Sequence, residues 1–253
     1  MNSIRREKVR AFVEKNGVAT LGQLSALLPE VSLMTLHRDL SFLQEQGFLQ
    51  KIRGGAKYVG DGANEPTFAA REIVNKPQKL VLAEKAAEFL DGVSSIFIDA
   101  GTTMMAFAKG LPDMPFHILT TSPNIALELA KKQFPSIELC GGTLNKSNLT
   151  LSGESAALML TRVNIDTAFL APAGYGETTG FTCGRESEAK LKSLVIEKAR
   201  RTVLMMDTSK LERLLPYTFA KLQDADYLVT ELSPDQLPRK LIEQSLSQKV
   251  TLI

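Results

Sequence analysis

Three short segments rich in glycine and hydroxyl side chains are the places in this sequence where binding chemistry is most readily expected. They read Asp99-Ala100-Gly101-Thr102-Thr103, Thr120-Thr121-Ser122-Pro123-Asn124 and Gly141-Gly142-Thr143. Glycine lets a ligand approach the backbone, and hydroxyl groups hydrogen-bond phosphate or sugar oxygens. Helix N-termini in such segments attract anions. We therefore expect an anion site that includes Asp99, Gly101, Thr102, Thr103, Thr120, Thr121, Ser122, Gly141 and Gly142.

For any one of these residues a structural role is the simpler explanation, because Thr102 or Ser122 alone could do no more than cap a helix. Three such segments meeting at one sheet edge favour a ligand site. The glycines from Gly174 to Gly180 do not have the spacing of a dinucleotide loop, and no phosphate-binding P-loop motif occurs. No cofactor is therefore expected.

A parallel sheet is the element that must position these segments. From Leu80 onward, helical stretches alternate with short apolar runs at residues 95–99, 117–120, 137–140, 167–170, 202–207, 227–230 and 250–253. This alternation predicts an α/β domain with a mostly parallel sheet covered by helices on both faces. Ligands of open parallel sheets bind beyond the carboxyl ends of the strands, which is where the three segments lie.

The first 60 residues differ from the rest in charge and pattern. They carry nine Lys and Arg against five Asp and Glu, whereas the remainder carries 21 against 23. Ser3, Thr20 and Ser32 are the expected N-caps of three short helices, and two strands flank a turn at Gly54-Gly55. Three helices followed by a basic hairpin predict a winged helix-turn-helix, so double-stranded DNA is the expected partner.

The third predicted helix is the expected reader of the major groove. Leu36, Leu40 and Leu43 form its apolar stripe, and Arg38 could pair with guanine. The residues expected to contact bases or phosphates are Ser32, Met34, Thr35, His37, Arg38 and Ser41 on the helix and Lys51, Arg53 and Lys57 on the wing. The alternative is an ordinary solvated helix in which Arg38 pairs with Asp39 or Glu45.

We divide the chain at its turn-rich polar stretch, Asp61-Gly62-Ala63-Asn64-Glu65-Pro66. The predicted organisation is a DNA-binding domain at 1–60, a linker at 61–78 and an α/β effector-sensing domain at 79–253. Two cysteines, Cys140 and Cys183, are too few for a disulfide framework, and no apolar run is long enough to span a membrane. We expect a cytoplasmic protein with no metal site.

The motifs resemble those of DeoR-type bacterial repressors over the whole chain. The likeness lies in Ser32-Leu-Met-Thr35-Leu-His-Arg38-Asp39-Leu40, in Gly47 and in Arg53-Gly54-Gly55-Ala56. Two positions depart from the family pattern: His37 precedes Arg38 where two arginines are usual, and Thr121 replaces an asparagine. These departures concern the choice of operator and of ligand.

The resemblance implies a C-terminal domain similar to the ribose-phosphate isomerase and CoA-transferase fold. It implies a phosphorylated sugar or related metabolite as effector. Lysines would then complement the negative charge of the phosphate, and carboxylates would orient the hydroxyl groups. The positions that it adds to the site are Gly174, Gly180, Glu188, Lys192, Asp207, Ser209 and Lys210.

An enzyme is the alternative function, because carboxylates beside a lysine could move a proton next to a carbonyl, as a sugar-phosphate isomerase does. A metabolic isomerase gains nothing from an attached DNA-binding unit, so we assign no catalytic residue and expect a regulator that acts as a homo-oligomer on paired half-sites.

Overall fold

A computed structural model describes residues 2–45, 48–58 and 67–253, with residues 2, 3 and 45 described by backbone only. The chain divides into two compact units, Met1–Val74 and Asn75–Ile253. Gly47, the expected end of the third helix, lies outside the described residues. Among the described helices, none is long and apolar enough to cross a bilayer.

The described residues of the N-terminal unit form four helices and three strands. They are α1 (Asn2–Asn16), β1 (Val18–Thr20), α2 (Leu21–Leu27), α3 (Leu33–Glu45), β2 (Leu49–Ile52), β3 (Gly55–Tyr58) and α4 (Phe68–Ile73). Thr20 and Gln23 form the predicted capping box of α2, and the Ser32 hydroxyl accepts the Thr35 N–H at 3.2 Å. Ser3, the predicted first cap, lies inside α1 instead.

Leucines at helical spacing hold the three main helices together. Leu36 and Leu40 of α3 are fully buried and Leu43 nearly so, in one cluster with Leu24 of α2 and Val9 of α1. Burial of such side chains stabilises the unit by about 1.5–3 kcal/mol each. Because this stripe faces the core, the opposite face of α3 is left to solvent.

The predicted hairpin exists, but it belongs to a larger sheet. Strand β3 pairs antiparallel with β2 on one side and with β1 on the other, so the order is β1-β3-β2. Gly55 is required here because a Cβ would lie 2.1 Å from the Ala19 carbonyl oxygen. Strand β1 was not predicted, since three residues are too few to show alternation.

The boundary between the units lies later than the polar stretch suggested. Residues 61–66 are outside the described part of the chain, and residues 68–73 of the predicted linker form α4. Thr67 caps this helix, and Ala70 is buried in the N-terminal core. The stretch from 67 to 74 is therefore part of the first unit.

The C-terminal unit alternates strands and helices. Its helices are α5 (Lys76–Ala86), α6 (Thr102–Gly110), α7 (Pro123–Leu129), α8 (Glu154–Leu160), α9 (Glu186–Lys198) and α10 (Arg239–Gln248). Its strands are β4 (Ser95–Ile98), β5 (His117–Thr120), β6 (Ser136–Leu139), β7 (Thr143–Asn145), β8 (Thr150–Ser152), β9 (Ile165–Leu170), β10 (Gly174–Gly176), β11 (Gly180–Cys183), β12 (Ala199–Met205), β13 (Tyr217–Ala220), β14 (Tyr227–Val229) and β15 (Thr251–Leu252).

The seven predicted strands form one parallel sheet. Its order is β15-β14-β12-β9-β4-β5-β6, and each of the six neighbouring pairs is parallel. From β4 the chain proceeds outward through β5 to β6, and then returns to β9 on the other side of β4. The direction of winding therefore reverses between β4 and β9, and the carboxyl ends of those two strands flank the crevice where such sheets bind ligands.

Two smaller antiparallel groups lie outside the main sheet. Strands β7 and β8 form a hairpin, and β10, β11 and β13 form a three-stranded sheet. Neither group was predicted, because their strands contain glycine, threonine and asparagine in place of regular apolar alternation.

Candidate functional site

The solvent face of α3 carries the side chains predicted to read DNA. Met34, His37 and Arg38 are exposed, Met34 by 68% of its surface. Met34, Arg38 and Ser41 recur at i, i+4 and i+7, which places them in one row along the helix. A row of this kind opposite the leucine stripe can reach base edges from within a major groove.

Asp39, next to Arg38, faces the protein interior. Its carboxylate accepts hydrogen bonds from the Arg5 Nε at 2.5 Å and from the Arg6 Nε at 2.8 Å, and it is 1% exposed. Burial acts to raise the pKa of Asp39, but the two guanidinium groups outweigh it and hold that pKa below the usual value. Asp39 is therefore a partner of α1, and the suggested Arg38–Asp39 pair does not form. The side chain of Glu45 lies outside the described residues.

The three wing residues predicted to meet phosphates have different surroundings. Arg53, in the turn, and Lys57, on the outer side of β3, are exposed. Lys51 is half-buried, and its Nζ donates to the Ser41 hydroxyl oxygen at 2.9 Å. The structure therefore joins two predicted DNA contacts, Ser41 and Lys51, to each other.

In the C-terminal unit, Asp99 and Lys192 meet at the crevice between β4 and β9. Asp99 directly follows β4, and its carboxylate accepts the N–H of Ala171, which directly follows β9, at 3.0 Å. Lys192, on α9, donates to the same carboxylate oxygen and to the Ala171 carbonyl. The topological crevice thus contains a buried carboxylate and a buried ammonium in contact.

The charge of Lys192 depends on its neighbours. Burial acts to lower its pKa, but the nearby negative charge of Asp99 prevails and raises that pKa above the ordinary value. Cys183 lies beside this pair, and burial raises the pKa of its thiol to about 11. At neutral pH the crevice therefore holds a charged lysine beside a protonated thiol.

The hydroxyl side chains at the predicted helix starts do not cap α6 or α7. Gly101, with φ of 116°, is itself the N-cap of α6, so Thr102 does not cap that helix. Open space surrounds the position where a Cβ of residue 101 would lie. The Ser122 hydroxyl likewise makes no cap to α7 and instead donates to Asn124 Oδ1 at 2.5 Å, with the Leu149 carbonyl oxygen also within reach at 3.3 Å.

Glu188, one turn before Lys192 on α9, is held by two amides that sequence reasoning did not find. Asn148 Nδ2 donates to its Oε1 at 2.7 Å, and Asn145 Nδ2 donates to the same oxygen at 3.3 Å. Both asparagines belong to the β7–β8 hairpin region, which also contacts Ser122 through Leu149. Their only sequence signal was proximity to the Gly141-Gly142 segment.

The remaining predicted positions lie at or after the carboxyl ends of the strands β4, β5 and β12 of the large sheet. Thr102, Thr103, Thr120, Thr121 and Ser122 are all buried at the carboxyl ends of β4 and β5. Asp207 follows β12 at the same sheet edge and accepts hydrogen bonds from Ser209 and from Asn75. Lys210 is half-buried.

Several predicted glycines have a packing explanation. A Cβ at Gly174 would lie 2.1 Å from the Arg213 carbonyl oxygen, and one at Gly180 would lie 2.3 Å from the Ala220 carbonyl oxygen. Gly142 adopts φ of 120° against the Ser152 backbone, whereas Gly141 is exposed and a Cβ there would make only an ordinary contact with the Ser155 side chain. Within the described residues, no group of three or more His, Cys, Asp and Glu is arranged to hold a metal ion.

Comparison with family models gives matches to both units. Residues 5–61 match the DeoR-like helix-turn-helix domain, and residues 74–232 match the DeoR C terminal sensor domain. Together these matches cover most of the chain.

Curated relatives match along nearly the whole length. The HTH-type transcriptional regulator GlpR of Haloferax volcanii is 35% identical over 85% of this chain and 84% of its own. The HTH-type transcriptional repressor GlcR of Bacillus subtilis is 30% identical over 92% and 90%, respectively. The glycerol-3-phosphate regulon repressor of Haemophilus influenzae is 28% identical over 96% and 94%. Among solved structures, ribose 5-phosphate isomerase A from Methanocaldococcus jannaschii is 20% identical, with a TM-score of 0.40 over 55% of this chain and 56% of that one.

Proposed function

The chain belongs to the DeoR family of DNA-binding transcriptional regulators, and from this premise we propose that it is a repressor whose operator affinity is set by a phosphorylated sugar or a related metabolite. The observation that carries the proposal is that one chain has both an α3 face on which Met34, His37 and Arg38 are exposed and a buried polar crevice at the switch between β4 and β9. Two relatives are named as repressors, and one of these names refers to glycerol 3-phosphate.

We propose that α3 enters the major groove and that the wing lies over the backbone. Arg38 offers a bidentate donor for guanine, and Met34 offers an apolar surface to a thymine methyl group. Arg53 and Lys57 face solvent with their charges free of the core and are suited to phosphates. A single winged unit reads few base pairs, so a homo-oligomer on paired half-sites would supply the remaining affinity.

We propose that the effector binds at the carboxyl ends of β4 and β5. Gly101 has room above it, the α6 N-terminus offers N–H groups to an anion, and the hydroxyls of Thr102 and Ser122 lie at the same edge. Lys192 would complement the effector's charge, and Glu188 would accept bonds from its hydroxyls. Asp207, Ser209 and Lys210 extend the same sheet edge.

Two binding measurements test the two halves separately. Arg38→Ala should abolish specific binding to a duplex selected by the wild-type chain from a random library, with the thermal response to effector intact. A thermal-shift screen of phosphorylated sugars should identify a ligand that stabilises the wild-type chain, and Thr102→Val should remove that shift while DNA affinity is retained. Leu127→Ala, on an exposed face of α7, is the matched control.

The results can also refute the proposal. Unchanged specific binding by Arg38→Ala would remove α3 from the interface. Turnover of ribose 5-phosphate that is lost with Glu188→Ala, in a chain that selects no duplex, would replace the regulator with the isomerase alternative.

A further inference from the structure

Two hydrogen bonds join the wing, which is the β2–β3 hairpin, to α3, the helix proposed to enter the major groove. Strand β2 lies at the edge of its sheet, so some of its backbone N–H groups have no strand partner. The Lys51 N–H is taken instead by the Gln44 side-chain oxygen at 2.7 Å. Together with the bond from Lys51 Nζ to Ser41, this ties one wing residue to two successive turns of α3.

The position of Lys51 on its strand explains why it faces the helix. Side chains alternate across a strand, so Lys51 shares the side of Leu49, which is buried in the core. Gln50 and Ile52 point to the other side and are exposed. Lys51 therefore extends from the rim of the core onto α3, whereas Lys57 shares the side of its partner Gln50 and Arg53 is exposed in the turn.

The hydrogen-bonding capacity of Ser41 is largely used. Its one hydroxyl proton goes to the His37 carbonyl oxygen at 3.0 Å, and one lone pair accepts from Lys51. A hydroxyl has one donor and two acceptor sites. Ser41 consequently has no proton left for the acceptor atoms that dominate the major-groove edges of guanine and thymine.

We propose that Ser41, Gln44 and Lys51 form a clamp that fixes the wing against the recognition helix, and that Ser41 and Gln44 are positioning residues for DNA binding that act through Lys51 without reading a base. The clamp makes the helix and the wing one rigid surface, so that Arg53 and Lys57 arrive at phosphates already in place. This inference rests on the proposed assignment of α3 and the wing to the DNA interface.

The test compares variants on a duplex selected by the wild-type chain from a random library. Ser41→Ala and Gln44→Ala should each weaken binding about tenfold, the loss of one hydrogen bond to a charged or buried group. The weakening should be the same for matched and single-mismatch duplexes, because no base contact is lost. Ser41→Thr and Gln44→Glu keep the acceptor oxygen and should bind within about twofold of wild type, by the same hydrogen-bond reasoning.

The salt dependence separates positioning from ordinary structural damage. If the wing loosens, the slope of log affinity against log salt should decrease by up to about 0.9 for each of the two phosphate contacts made by Arg53 and Lys57. Adding Arg53→Met and Lys57→Met to Ser41→Ala should then cost much less than adding them to the wild type. The rescue variants should restore the wild-type slope.

Each result decides between explanations. A change of base preference at one operator position in Ser41→Ala would show that Ser41 reads that base. Unchanged affinity in both alanine variants would show that DNA binding does not need the clamp. Either result overturns the inference. Full additivity with the wing variants would also overturn it. Arg38→Met is the reference: if it binds the selected duplex as well as wild type does, the assignment of the interface itself has failed.

Discussion

Replacing the carboxylate of Asp99 should destabilise the folded chain, because the buried Lys192 ammonium would lose its charged partner. Asp99→Asn keeps an oxygen that accepts the Ala171 N–H but removes the charge that holds Lys192 protonated. Removing one member of a buried ion pair typically costs about 3–5 kcal/mol. With a urea dependence of about 2–3 kcal/mol per molar, the urea concentration at the unfolding midpoint should decrease by about 1–2.5 M.

The sign of the pH dependence follows from the pKa of Lys192. In the wild-type chain this pKa is raised, so the stabilisation is complete below about pH 10.4, the unfolded value, and is lost as the pH rises through the folded-state value. In Asp99→Asn, burial is opposed by Cys183 and Glu188 without Asp99, and we expect the pKa of Lys192 to fall below 10.4. The variant should then gain stability as the pH approaches 10, and its deficit against the wild type should narrow.

Tyrosine provides the assay, because the chain has no tryptophan and three of its four tyrosines, Tyr175, Tyr217 and Tyr227, lie in the C-terminal unit. Urea unfolding of the full chain would be followed by near-ultraviolet circular dichroism at pH 7 and pH 9.8. The double variant Asp99→Asn with Lys192→Met should recover most of the loss, since neither charge then remains unpaired. Asp113→Asn, which alters an exposed carboxylate on backbone N–H groups, is the control. A loss below about 1 kcal/mol, or a deficit that is the same at both pH values, would refute the reasoning.

Two further predictions concern the other unit and the glycines. Asp39→Asn should destabilise the N-terminal unit by about 2–3 kcal/mol at pH 7, through the lost bonds to Arg5 and Arg6. Because the pKa of Asp39 is lowered in the folded state, the stabilisation by its charge is complete above about pH 3.9 and is lost as the pH falls through the folded-state pKa. Calorimetry at pH 7 and pH 3 should therefore find a smaller difference in stability between the variant and the wild type at pH 3. Gly174→Ala should cost more than about 2 kcal/mol, because its Cβ would meet the Arg213 carbonyl, whereas Gly110→Ala, at the open end of α6, should be neutral or stabilising. Wild-type stability in Gly174→Ala would contradict the close approach.

The sequence predicted those elements whose signal lies in consecutive residues. Buried parallel strands are short continuous apolar runs, so the run that contains Phe97 and the run that contains Phe169 were found at nearly the right ends. The helix of residues 68–73 was missed because a six-residue segment after a polar stretch has too few turns to show a period. Its role became visible only with Ala70 in the core.

The position of the candidate site residues at a sheet edge could be predicted from the sequence, but the contacts among their side chains could not. Apolar runs followed by glycine and threonine indicate a sheet edge, and the family resemblance added Glu188 and Lys192. No pattern along the chain could pair Glu188 with Asn148, which lies 40 positions away on a hairpin. The hydrogen bond between Ser41 and Lys51 could not be predicted from the sequence either. Both residues were expected to face DNA, and the distance between them depends on how the wing packs against α3.

The strand order of the large sheet has a consequence for synthesis. Residues 95–139 supply three adjacent strands, β9 then joins the free side of β4, and β12, β14 and β15 are each added to the outer side of the preceding strand of this sheet. No pair of strands has to open to admit a third, so the nascent sheet can grow by simple addition. At each pause the last strand made presents an unpaired edge, which is a template for aggregation. Chains that terminate between residues 171 and 198 would end with β9 uncovered, and we expect these truncated products to be the ones that recruit chaperones or precipitate.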